Sequence, residues 1–360
     1  MPSWELLGPK IPALVWRSVL LRADGFDADA RTIRWSPMGR EAEAWRRFDA
    51  RDLPDDARVL LLIHGTGMTT RSGFAGITEA EYLRLERKYD GRILAYEHRA
   101  FAHHLDWNAR DLCHALPESG VHLNLDVVGM SRGGLVARYI SEGWAGHLMR
   151  ASRVAIRTLV FLGTPNGGTP SARRDPPGLG ARLMKAWRTD ARRVALVDMR
   201  SRAVERHDDP YAIDVFDPDS LRMRTWPMLL GSQDQLPASR VLRMLNGFAG
   251  PPPDPPAHPT AYFGVASIFD FEHGAPDPVL VGGRRPHRRS DVVRHALPVT
   301  NDLVVPTASV YAPILGPHGP PQFPLRPSEL MVLGPQSNTS HTGLLRVDAV
   351  RRQVARWLGA

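Results

Sequence analysis

Three residue types that together can make a hydroxyl nucleophilic occur along this chain in the order Ser131, Asp302, His341. A serine hydroxyl attacks poorly by itself; it needs an imidazole to take its proton, and the imidazole needs a carboxylate to hold its tautomer. Ser131 stands in Gly129-Met130-Ser131-Arg132-Gly133, directly after the apolar run Leu123 to Val128 and directly before the helical pattern Arg132 to Glu142. Gly-x-Ser-x-Gly alone is a weak signal, because small residues recur in any turn. Between a strand and a helix it reads as a nucleophile elbow, a sharp turn at which side chains in place of Gly129 and Gly133 would collide with the flanking elements. The bland alternative is a serine that merely caps the helix.

His341 lies in Asn338-Thr339-Ser340-His341-Thr342, after the last expected strand and before the last expected helix, where the base belongs in the order serine, acid, histidine. Most of the 14 histidines read as surface or packing residues, and the pair His103 and His104 reads as loop lining. Asn301-Asp302-Leu303-Val304-Val305-Pro306 offers the acid, since an aspartate in an apolar setting needs a partner. Asp270, Glu272, Asp277 and Asp291 compete with Asp302 for that role. Negative charge developing on a substrate oxygen requires donors already aimed at it. The backbone N–H of Arg132 is one, and Thr66 in His64-Gly65-Thr66-Gly67 is the expected second. A glycine turn with a structural histidine is the competing reading of His64.

The elements that must position these residues follow from short apolar runs separated by helical patterns, which predict a mostly parallel sheet covered on both faces. The expected strands are Val59 to Ile63, Ile93 to Tyr96, Leu123 to Val128, Thr158 to Leu162, Tyr262 to Ile268 and Leu330 to Leu333. Helical patterns cover Glu79 to Tyr89, Trp107 to Leu116, Arg132 to Glu142 and a last segment ending near Leu358. In that last segment Val347, Val350, Val354 and Leu358 form one apolar stripe, leaving Arg351, Arg352 and Arg356 for solvent. Residues 1–57 carry two weaker strands, Ser18 to Arg22 and Thr32 to Trp35, at the leading edge of the sheet; residues 58–360 form the main domain.

About a hundred residues separate the strands ending at Leu162 and starting at Tyr262, far beyond an ordinary connection. Residues 171–260 therefore read as an insertion, either a cap over Ser131 or helices packed on the core. Its amphipathic stretches place Trp187 and Leu245 as candidate acyl-pocket residues, with Met130 beside the nucleophile. A second irregular stretch, His273 to Thr300, carries Arg284, Arg285, Arg288 and Arg289. A solvated loop is its default reading, and contact with an anionic membrane surface the minority one.

Composition bounds the partners. A 43% hydrophobic and 23% charged chain of 360 residues can bury a large core. The net charge of +8 rests almost wholly on scattered arginine, with Lys10, Lys88 and Lys185 the only lysines, and no motif interleaves aromatic and basic residues as a nucleic-acid module does. Cys113 is the single cysteine, which excludes an intramolecular disulfide and a multi-cysteine zinc site. It falls in an amphipathic helix and reads as packed rather than reactive. Ile11 to Leu21 is interrupted by Arg17 and lacks a small-residue cleavage pattern, so neither a signal peptide nor a membrane span is expected and the reading is cytoplasmic.

Taken together, His64-Gly65-Thr66, the elbow Gly129 to Gly134, Gly163-Thr164-Pro165-Asn166-Gly167-Gly168, Asn301 to Pro306 and His341 resemble bacterial esterase/lipase-like α/β-hydrolases. The group is one often associated with CHAT-type protease domains, with wider similarity to triacylglycerol lipases and lecithin:cholesterol acyltransferases. The resemblance runs over residues 58–358 and thins across 171–260, where only Gln233 to Asn246 looks familial. It implies the α/β-hydrolase fold, Ser131, Asp302 and His341 as triad, Thr66 and Arg132 as oxyanion donors, and neither cofactor nor metal. The expected activity is hydrolysis of a carboxylic ester, in a small molecule or a lipid. A serine acyltransferase or thioesterase with the same triad, and a non-catalytic binding module on the same fold, are the alternatives.

Overall fold

A computed structural model of the chain describes residues 31–34, 53–66, 68–100, 103–115, 122–146, 154–169, 233–255, 259–270 and 299–360. The described strands are β1 (Arg31–Arg34), β2 (Ala57–Ile63), β3 (Ile93–Glu97), β4 (Leu123–Met130), β5 (Val154–Leu162), β6 (Ala261–Ser267) and β7 (Leu330–Leu333). They form one sheet in the order β1-β3-β2-β4-β5-β6-β7. β1 pairs antiparallel with β3, and the other six run parallel. Because the parallel strands are covered on both faces, β2, β3 and most of β4 are buried almost residue for residue.

Helices α1 (Glu79–Tyr89), α2 (Leu105–Ala115), α3 (Arg132–Ser141), α4 (Arg240–Leu245), α5 (Thr307–Tyr311) and α6 (Asp348–Leu358) cover the sheet. One core packs Leu61, Ile63, Val127 and Phe161 against Leu112, Leu135 and Leu242; the other packs Leu60, Leu62 and Val128 against Tyr89, Leu344 and Val350. α1 starts on a reciprocal cap in which Thr78 and Glu81 satisfy each other's backbone N–H groups. This strand order, with a helix leaving the end of β4 at Ser131, is the α/β-hydrolase fold.

The two strand candidates at the start of the chain part company here. Thr32 to Trp35 corresponds to β1, whereas Ser18 to Arg22 lies outside the described residues. Of the segment 171–260, residues 171–232 also lie outside, and Trp187 with them. The described end, 233–255, takes the packing alternative: Leu242 and Leu245 are 0% and 1% exposed in the core beside Phe161. The solvent reading of Arg351 on α6 is corrected. Its guanidinium donates to Glu81 at 2.7 Å and to the carbonyls of Leu345 and Arg346, tying the last helix to α1.

Among the described residues no helix is long and apolar enough to cross a membrane.

Candidate active site

Ser131 sits at the carboxyl end of β4 with φ 52° and ψ −126°, a region that ordinary side chains avoid. Its N–H donates to the Leu162 carbonyl at 2.8 Å, so the turn is also held by the end of β5. The flanking glycines leave no room for anything larger. A Cβ at Gly129 would come within 2.5 Å of Gly134 Cα, and one at Gly133 within 2.3 Å of the Ile63 carbonyl oxygen. Helix α3 thus starts pressed between β4 and the end of β2, with the serine, itself buried, at the tip of the turn.

Asp302 belongs to a tight loop before α5. Leu303 takes a positive φ of 84° there, and its N–H donates to Asn301 Oδ1. Asp302 Oδ1 accepts from the N–H groups of Val304 and Val305 at 3.0 and 2.7 Å. The other carboxylate oxygen lies 2.7 Å from His341 Nδ1, and the Asp302 carbonyl accepts the His341 backbone N–H at 2.9 Å. One aspartate therefore fixes both the ring and the backbone of His341, and leaves Nε2 as the imidazole's other nitrogen. Both residues are buried.

Gly163 lies beside His341, and its neighbour Leu162 lies beside Ser131. It directly follows Leu162, whose carbonyl receives the Ser131 N–H, and a Cβ on it would lie 2.9 Å from His341 Nδ1 and 3.2 Å from Asp302 Oδ2. The missing side chain is the space the imidazole uses. Of the competing acids, Asp270 is half-buried beyond the end of β6, and Glu272, Asp277 and Asp291 lie outside the described residues.

The loop after β2 packs on the serine from the other side: a Cβ at Gly65 would be 2.8 Å from Ser131 Cβ. Thr66 is buried beside it. His64 is the staple of this loop. Its Nε2 accepts the His98 backbone N–H at 3.1 Å, which leaves Nδ1 to donate to the Gly65 carbonyl at 2.8 Å, and its ring stacks on His98 at 4.1 Å. Burial holds its pKa below the ordinary imidazole value, against the pull of Glu97. The structural reading of His64 is the one these bonds describe.

Arg132 is wholly buried, its guanidinium donating to the His103 carbonyl at 2.8 Å and lying 3.5 Å from Asp234. Met130 is buried in the core with its sulfur near Gly73, and Leu245 packs deep beneath α3. The sequence reading set both against the substrate; the structure sets both in the core. Two residues not singled out beforehand bear on these groups: Asp234, beside the Arg132 guanidinium, and Gln235, whose side-chain N–H donates to Thr66 Oγ1 at 3.0 Å. No local spacing marks them, since Gln235 and Thr66 are 169 residues apart. The acidic group Asp55, Asp56 and His122 brings ligand-type atoms within 4.8 Å of one another, but it is exposed at the opposite ends of β2 and β4.

Residues 30–197 match the model of a family described as a domain of unknown function, DUF7379. Comparison with curated proteins finds no match. Among solved structures the chain is similar to a mature lipase of Bacillus licheniformis, at 14% identity over 85% of this chain and 94% of that one, with a TM-score of 0.41. A meta-cleavage product hydrolase of Pseudomonas fluorescens is similar at 16% identity over 85% and 92%, with a TM-score of 0.39. A thioesterase domain in covalent complex with a fluorophosphonate nocardicin G analogue is similar at 14% identity over 92% and 100%, with a TM-score of 0.36.

Proposed function

We propose that the chain is a serine hydrolase that cleaves carboxylic esters through an acyl-enzyme on Ser131. The observation that carries the reading is the convergence on one peptide, Leu162 to Gly163, of a strained serine and an aspartate-held imidazole. His341 Nδ1 is committed to Asp302, so Nε2 is the nitrogen that takes the Ser131 proton as Oγ attacks the ester carbonyl. The oxygen of the tetrahedral intermediate is received by the backbone N–H groups of Thr66 and Arg132. Collapse breaks the ester C–O bond, His341 returns its proton to the leaving alcohol, and water repeats the sequence on the acyl-serine.

Acyl transfer to an alcohol or thiol uses the same groups and differs only in the final acceptor; product analysis with and without such an acceptor separates the two. Ester substrates in lipids and contact with an anionic membrane surface belong to the same proposal, as does action without a cofactor.

The test is labelling by an alkyl fluorophosphonate together with turnover of a panel of aryl and acyl esters. Ser131→Ala should fold, abolish labelling and lower kcat by about a million-fold. Near-wild-type turnover by that variant would overturn the assignment.

A further inference from the structure

We propose that Gln235 is a positioning residue for the oxyanion loop: its side-chain amide, bonded to the Thr66 hydroxyl, holds the Thr66 N–H at its aim beside Ser131. The inference rests on the serine-hydrolase reading above. It goes further by giving the returning limb of the long connection after β5 a task in the reaction.

The limb is built to hold Gln235 still. Asp234, one residue earlier, accepts the Leu105 N–H at 2.6 Å, meets His104 Nδ1 at 3.1 Å and lies 3.5 Å from the Arg132 guanidinium. Ser239 caps α4 and donates its hydroxyl to the Asp234 carbonyl. Gln235 itself is nine-tenths buried, and its carbonyl accepts the Thr169 N–H at 2.8 Å. From Thr169 the path continues, because the Thr169 hydroxyl donates to the Val304 carbonyl, and the Val304 and Val305 N–H groups donate to Asp302. Gln235 thus stands on a continuous hydrogen-bonded route from the oxyanion loop to the acid.

The physical need is plain. An oxyanion donor stabilises charge only where it is already aimed, and a displacement of about 1 Å in an active site can cost about a hundredfold in rate. The Thr66 hydroxyl is buried, so water is a poor substitute for the Gln235 donor. Without that donor the loop must turn to satisfy the hydroxyl elsewhere, and the backbone turns with it.

The experiment measures saturable inactivation by an alkyl fluorophosphonate. In that reaction the Ser131 O–P bond forms, fluoride leaves, and the phosphoryl oxygen gathers charge where an ester oxygen would. In Gln235→Met, which keeps the length of the side chain and loses the donor, kinact should fall about tenfold or more while KI and the melting temperature stay as in wild type. The double variant with Thr66→Val should be no slower than the slower single variant, since both remove one bond. Unchanged kinact, a loss confined to KI or to melting temperature, or fully additive losses would overturn the proposal. Should Gln235→Met fail to fold, Thr66→Val alone tests the same bond and must show the same fall in kinact. Failure of the wild type to label would overturn the serine reading and this inference together; a labelled wild type with an equally fast Gln235→Met overturns this inference alone.

Discussion

Asp234 gathers both a cation and an imidazole around one buried carboxylate, and the consequence can be read by titration. Its hydrogen bond holds the His104 pKa above the ordinary value of 6.5, against partial burial, with Arg132 opposing and Asp106 assisting. A raised folded pKa favours the folded state most where His104 is protonated in both states. The contribution is therefore full below about pH 6.5 and is lost as pH rises through the folded value. His104→Gln should lower the melting temperature at pH 5.5 and leave it unchanged near pH 9. The side chain is 37% exposed, so the effect should stay under about 1 kcal/mol. A pH-independent loss would show that packing against Trp107, not charge, is what His104 supplies. At this scale the tight turn at Ser131 and the pairing of Asp302 with His341 were legible because each residue sits beside a sequence signal of its own: glycines, an apolar run, a strand-to-helix junction. Asp234 and Gln235 were not. Their partners are brought to them only by the fold, and nothing in the neighbouring residues announces a buried carboxylate or amide.

Helix α3 depends on Arg138 as much as on its apolar face. The fully buried guanidinium donates to Glu142 at 2.7 Å, to the Leu245 carbonyl at 2.8 Å and to the side chains of Asn166 and Asn246, and it covers the Phe323 ring at 4.8 Å. In this way α3, α4 and the turn after β5 share one cation. Arg138→Met should destabilise the fold by about 3–5 kcal/mol, because it leaves a buried carboxylate without its counter-charge. Burial already raises the Glu142 pKa. Proton uptake should therefore soften the penalty as pH falls, which denaturant unfolding at pH 7.5 and pH 5 would reveal. A penalty equal at the two values would mean that lost packing, not the stranded carboxylate, dominates.

The elements themselves were the most legible part of the fold. Central parallel strands buried on both faces give unbroken apolar runs, and β2 to β7 stand within a few residues of where the sequence put them, the partly exposed β7 included. Arg351 shows the limit of that reasoning. A helical stripe tells which side is apolar, but it cannot tell that a charged residue at the edge of the stripe will find Glu81 on another helix. The choice between cap and packed helix for α4 was equally closed to periodicity, since either role requires the same amphipathic face.

At the scale of the whole molecule, β4 is the fourth of seven described strands, with three on either side. Ser131 is thereby carried by a strand that cannot leave without breaking two ladders. Asp302 and His341 follow β6 and β7, the last two strands on one side, and they reach the serine only through loops. Cys113 provides an internal reference for collapse of the interior: it is 4% exposed, and burial pushes its thiol up to about 12. Disulfide exchange with an added aromatic disulfide should therefore wait for global unfolding. Asp302 and His341, resting on loops at the margin of the sheet, should part from Ser131 sooner. On slow heating the loss of fluorophosphonate labelling should come at a lower temperature than exposure of Cys113. A single shared transition would mean that the margin and the middle melt as one body. Heat-inactivated protein caught between the two temperatures would keep its elbow and regain competence on cooling, because what it lost is an alignment and not a core.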